Sequence, residues 1–120
     1  MQHLSLWKHG LGAVPDWVWD ESGLETLVLA DNRLTEVSER VGRLRRLRML
    51  DLGHNQLTQL PAALGDLPAL TDFLYLHDNR LSSLPASLGR LTGLRYLNIS
   101  ENGFTTLPPA AACPACSNCG

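Results

Sequence analysis

The chain has 120 residues, 44% of them hydrophobic and 18% charged, with a formal net charge of -2. That balance fits one ordinary globular domain and gives no electrostatic pull toward nucleic acid or an acidic membrane surface. No apolar run approaches the ~20 residues of a membrane span, and the opening MQHLSLWKHGLG lacks the pattern of a secretory signal.

In chain order, the leucines recur as a fixed frame. The first unit, 1–23, carries Leu4, Leu6, Leu11, Val14 and Val18. The second, 24–46, carries Leu24, Leu27, Leu29, Leu34, Val37, Val41 and Leu44. The third, 47–69, is the most regular, with Leu47, Leu50, Leu52, Leu57, Leu60, Leu64 and Leu67. The fourth, 70–93, and the fifth, 94–109, repeat the frame before it stops at Pro108-Pro109. Residues 110–120 are expected to form a flexible tail. Asn32, Asn55, Asn79 and Asn102 mark one phase of the frame, with His9 at the same phase upstream. Such a period is the mark of a stacked repeat architecture.

Within one unit the pattern changes period. Leu50-Asp51-Leu52 alternates with a period of two, which predicts a short strand with one buried face. Asn55 ends it. The spacing then widens to three at Leu57, Leu60, Leu64 and Leu67, with Pro61 suited to opening a helical turn. Each unit therefore has one apolar edge that only a neighbouring copy can bury. An asparagine buried at the turn can satisfy backbone groups of two units at once, because its amide both donates and accepts. Asn32, Asn55, Asn79 and Asn102 are expected to form such a structural ladder.

The segment from Leu47 to Leu57, followed by Leu60-Pro61 and Leu64-Gly65-Asp66-Leu67, resembles a leucine-rich repeat. It is similar to the typical 23-residue class of intracellular Ras-suppressor-like and bacterial proteins. Over residues 1–109 the resemblance implies an α/β fold. This is a right-handed solenoid of about five repeats, with a short parallel concave sheet and 3₁₀ or helical turns on the convex side. It also implies a binding role.

Three departures stand out. One extra residue falls between Leu70 and Leu74, which predicts a bulge before that strand with Leu70 out of its apolar slot. Trp17 and Trp19 replace small or polar residues in the first unit, and Glu21 replaces a core leucine. These two tryptophans read either as an improvised cap or as an exposed aromatic contact. The last unit lacks its helical half.

Alternation along the strands places four columns on or beside the concave face. They are His3, Thr26, Met49, Phe73 and Tyr96; then Ser5, Val28, Asp51, Tyr75 and Asn98; then Trp7, Ala30, Gly53, His77 and Ser100; and finally Lys8, Asp31, His54, Asp78 and Glu101. Outward aromatic residues concentrate binding energy. Met49, Phe73, Tyr75, His77 and Tyr96 are therefore the candidate partner-binding patch, with Asp51, Asp78, Asn98 and Glu101 around it.

The function expected is a protein–protein interaction module that takes a protein or peptide on its concave face. Alternatives are a self-associating repeat protein joined through uncapped ends, and a recognition fragment of a larger enzyme or bacterial effector. No catalytic residues, cofactor or metal are expected, and nucleic acid and membrane are not expected partners. The location expected is cytoplasmic, or secreted for a bacterial effector. The run Arg40, Arg43, Arg45, Arg46 and Arg48 reads as a solvated face, with Glu36 and Glu39 four residues ahead of Arg40 and Arg43. Cys113, Cys116 and Cys119 have metal-ligand spacing but no fourth ligand follows.

Overall fold

A computed structural model describes residues 2–104 and 118–119. Each unit folds as strand, turn and 3₁₀ segment. The strands are β1 (His3–Ser5), β2 (Thr26–Val28), β3 (Met49–Asp51), β4 (Phe73–Tyr75) and β5 (Tyr96–Asn98), joined by a two-residue β6 (Asn118–Cys119). All pair in parallel in the order β1-β2-β3-β4-β5-β6. The register aligns the central residues Leu4, Leu27, Leu50, Leu74 and Leu97 across the sheet. Those from Leu27 onward are buried, and so are Leu29, Leu52, Leu76 and Ile99 two residues on. The Asn118–Cys119 backbone lies against Tyr96 and Leu97. The first two cysteines of the tail motif, Cys113 and Cys116, fall outside the described residues, as do Leu107 and the Pro108-Pro109 stop.

On the opposite side stand four 3₁₀ segments: η1 (Asp16–Asp20), η2 (Glu39–Arg43), η3 (Ala62–Asp66) and η4 (Ala86–Arg90). Pro15, Pro61 and Pro85 each stand at the N-cap, one residue before the first turn. Their carbonyls accept the first i→i+3 bonds from Val18, Leu64 and Leu88. η2 uses Ser38 instead, whose hydroxyl accepts the Arg40 N–H at 3.1 Å. Val18, Val41, Leu64 and Leu88 point from these segments into the core. Each fully buried leucine is worth roughly 1.5–3 kcal/mol, and one continuous cluster joins all the units.

The asparagines hold adjacent units together. Asn55 Nδ2 donates to Leu52 O and Gly53 O of its own unit, at 3.0 and 3.1 Å. It also donates to Leu29 O of the previous unit, while its Oδ1 accepts the Leu34 N–H at 3.1 Å. Asn32, Asn79 and Asn102 repeat the arrangement. Asn32, Asn55 and Asn79 are each only 8% exposed, whereas Asn102 is partly open. His9, at the same phase in the first unit, is exposed and offers its backbone N–H to Asn32 Oδ1.

The extra residue is absorbed differently from expectation. Leu70 is 2% exposed and fills the same slot as Leu24, Leu47 and Leu94. The surplus lies just after it. Phase alone would send the Arg95 N–H to Asp72 O, but it donates to Thr71 O at 3.0 Å, while Asp72 N–H donates to Arg48 O. The local slip sits next to β4 and leaves the β3–β4 and β4–β5 registers intact. The two tryptophans of the first unit split: Trp19 is buried at 2% and Trp17 is 47% exposed.

Trp19 stands where the later units place a glycine. At Gly65 an added Cβ would lie 2.3 Å from Ser87 backbone atoms, so η3 and η4 touch through that glycine. Gly65→Ala is expected to cost about 1–3 kcal/mol through overpacking. Asn55→Ala is expected to cost ~1–3 kcal/mol by leaving buried backbone groups unpaired, and Asn102→Ala less, because water reaches its site. Urea unfolding of the three variants checks both; an Asn55→Ala midpoint equal to the parent's rules out the ladder as a stabilising element.

Candidate functional site

Strand register brings the expected aromatic residues together. Phe73 and Tyr75 lie on β4 and Tyr96 on β5 opposite Phe73. Their rings form one contiguous group. Phe73 stacks near Tyr75 with centroids 5.9 Å apart, Tyr75 meets Tyr96 at 5.6 Å, and Phe73 meets Tyr96 edge-on at 6.3 Å. Tyr75 continues to His77 at 5.9 Å, and His77 to His54 at 4.8 Å, both edge-to-face. Such contacts are worth ~0.5–1.5 kcal/mol each beyond burial. Phe73 remains 42% exposed, and Tyr75 and Tyr96 are half-buried. Met49 is half-buried on β3, in register with Phe73.

His77 owes its position to Gly53. An added Cβ at residue 53 would stand 2.5 Å from His77 Cε1, so the ring lies over the glycine backbone. Its Nδ1 is buried with no hydrogen bond among the described residues. Packing therefore holds this ring, at the cost of an unpaired polar atom.

Asp51 and Asn98 have local work as well. Asp51 Oδ1 accepts the Gly53 N–H at 3.0 Å, and Asn98 Oδ1 accepts the Ser100 N–H at 3.0 Å. Each closes the strand end by the side-chain turn that Asp and Asn favour. Asp51 keeps its second oxygen, in register beside Tyr75.

The fourth column has a backbone signature invisible in hydropathy. Lys8, Asp31, His54, Asp78 and Glu101 all have positive φ, between 54° and 60°. Asp and His tolerate that left-handed region; Lys and Glu adopt it less readily. The turns at Lys8, Asp31, His54 and Asp78 are fixed by the stack, as when the His54 N–H donates to His77 O and the Asp78 N–H to Ser100 O. His54 and Asp78 are neighbours in this column, with Nδ1 and Oδ2 2.6 Å apart. The Asp78 hydrogen bond raises the His54 pKa above 6.5. Partial burial lowers it, and the charges of Asp78, Asp31 and Glu101 raise it further. Burial, then Asp51 and Tyr96, raises the Tyr75 phenol.

His54 and Asp78 thus form a hydrogen-bonded ion pair when the imidazole is protonated. No group of three His, Cys, Asp or Glu among the described residues is disposed to hold a metal ion.

The basic run takes a different role from the local helix pairing expected. Glu36 lies outside η2, and the arginines reach across units. Arg40 pairs with Asp16, Arg43 with Asp20, and Arg48 with both Glu25 and Asp72. Arg90 pairs with Asp66 at 2.7 Å. Trp7 lies outside the expected patch, yet it is 53% exposed, with Lys8 Nζ 5.3 Å from its ring centroid. Its place in the third column was legible; Ala30 and Gly53 separate it from His77.

Because the folded-state pKa of His54 is raised, protonated His54 contributes stability that is fully present below pH 6.5. That contribution is lost as pH climbs through the folded value. Its exposure keeps the effect small. Histidine NMR titration should give His54 a midpoint above 6.5, and Asp78→Asn should lower it. An unmoved midpoint in Asp78→Asn would break the assignment.

Models of the leucine-rich repeat match residues 22–74 and 93–114. A Drosophila melanogaster leucine-rich repeat and calponin homology domain-containing protein is 46% identical over 48 residues, 39% of this chain and 6% of that protein. A Leptospira interrogans LRR protein superposes with TM-score 0.83 at 27% identity, over 90% of this chain and 28% of the other. Internalin C2 of Listeria monocytogenes superposes with TM-score 0.86 at 23% identity, over 100% of this chain and 51% of the other, a likeness of fold. The chain thus spans between 6% and 51% of the length of these relatives.

Proposed function

This chain is a leucine-rich-repeat protein, of a family whose repeats generally serve protein–protein interaction, and we propose that its concave face docks a protein or peptide at the Phe73–Tyr75–Tyr96 patch. The carrying observation is the contiguous group of three half-open rings on adjacent strands. Large rings have few rotatable bonds, and these already hold one another in place. Ordering them on binding therefore costs little. Met49 and His77 flank them, and Asp51, Asp78, Asn98 and Glu101 supply polar surroundings. The mechanism is recognition without bond making or breaking.

The rigid frame supports this reading. Each ring springs from a strand whose ends are fixed by an asparagine ladder and a left-handed turn. Central aromatic anchors on such a frame are where truncation is most costly to an interface.

A random peptide library displayed on phage tests the reading. Panned on the parent protein and on Tyr75→Ala/Tyr96→Ala, it should enrich binders to the parent. Enrichment on the double variant should fall by roughly tenfold or more, with its circular dichroism unchanged. Equal enrichment on both would remove the patch as a docking surface.

A further inference from the structure

Beyond Lys8 of the first repeat, and apart from His54, the charged residues of the concave columns are acidic. From the second repeat on, its strand positions and the left-handed column hold Asp31, Asp51, Asp78 and Glu101. They hold no lysine or arginine, although the chain has 10 of these residues. The arginines with ion partners described above lie on the 3₁₀ side or at the strand starts, facing Asp16, Asp20, Glu25, Asp66 and Asp72. By contrast, none of the arginines in these ion pairs reaches Asp31, Asp51, Asp78 or Glu101.

His54 already samples this field. Its proton is held more tightly because Asp78 accepts its hydrogen bond and because Asp78, Asp31 and Glu101 are negative. A positive charge brought to this face is stabilised by the same carboxylates. Next to them lie the half-buried rings of Tyr75 and Tyr96, tilted at 58° with centroids 5.6 Å apart. Aromatic faces attract cations. Asp51 stands in register with Tyr75, and its second carboxylate oxygen is unused by the Gly53 turn.

The guanidinium group matches both features. It is planar and stacks on rings, and its fork of donors suits a carboxylate; an ammonium offers only a compact charge. An acidic or phosphorylated segment would meet like charge here. Resting on the reading of the aromatic patch as the docking surface, we propose that its occupant is an arginine-bearing segment of a protein partner. A guanidinium lies on the Tyr75 and Tyr96 rings and pairs with Asp51.

The test uses the whole chain and four short capped peptides alternating glycine with arginine, citrulline, lysine or glutamate. NMR titration follows the Tyr75 and Tyr96 ring resonances. The arginine peptide should shift both rings and bind roughly tenfold more tightly than its citrulline isostere. It should also bind more tightly than the lysine peptide, which carries equal charge. The advantage should shrink with added salt and disappear in Asp51→Asn. A citrulline or lysine peptide that binds as well as the arginine peptide overturns the assignment, as does an absence of ring shifts at millimolar arginine peptide. In that event, library peptides still dependent on Tyr75 and Tyr96 would leave the docking surface standing with a different occupant. Loss of both dependences would discard both conclusions.

Discussion

The asparagine amide, shared between two repeats, is the interaction on which everything else rests. Asn55 ties Leu29 and Leu34 of one unit to Leu52 and Gly53 of the next with four hydrogen bonds. A strand of three residues could not hold a register alone. With its end anchored to the previous unit, it can, and the leucines then align into one apolar column. A buried amide that served only its own turn would leave the stack free to slide. The same bonds that bury polar backbone therefore fix where each side chain of the open face appears.

Once the stack is fixed, interactions that look long-range in sequence become local in space. The ion pair of Arg43 with Asp20 and the pair of His54 with Asp78 join residues 23 and 24 apart. Surface pairs of this kind contribute little singly. Their arrangement still sorts charge. Arginines and their partners collect on one side, and none of those paired arginines reaches the carboxylates of the open sheet face. The protein is nearly neutral in sum, with its arginine ion pairs gathered away from the open sheet face.

Much of the scaffold was legible because leucine periodicity reports burial directly. The first two strand columns follow from alternation and align in register, whereas in the third Ala30 is buried at 5%. What was not legible depended on the next unit. Glu36 and Glu39 lie four residues from Arg40 and Arg43, yet those arginines choose Asp16 and Asp20, one unit back. Leu70 kept its core slot because the surplus residue slipped out behind it, between two hydrogen bonds of the ladder. Trp17 and Trp19 look equivalent in sequence, but only Trp19 falls at the position that faces the interior. The candidate patch was visible as outward aromatic residues; the support of His77 by Gly53 was not, because hydropathy is blind to a missing Cβ.

The left-handed column has a consequence for how long a match with a ligand can run. Its members recur once per strand, about every 4.8 Å. An extended peptide laid across the strands presents like-facing side chains about every 6.8 Å. The two rulers disagree, so a straight chain drifts out of step within two or three repeats. The ring group spans only β4 and β5 and falls within that limit. Lengthening the solenoid would add surface without adding readable positions, unless the ligand bends to follow it.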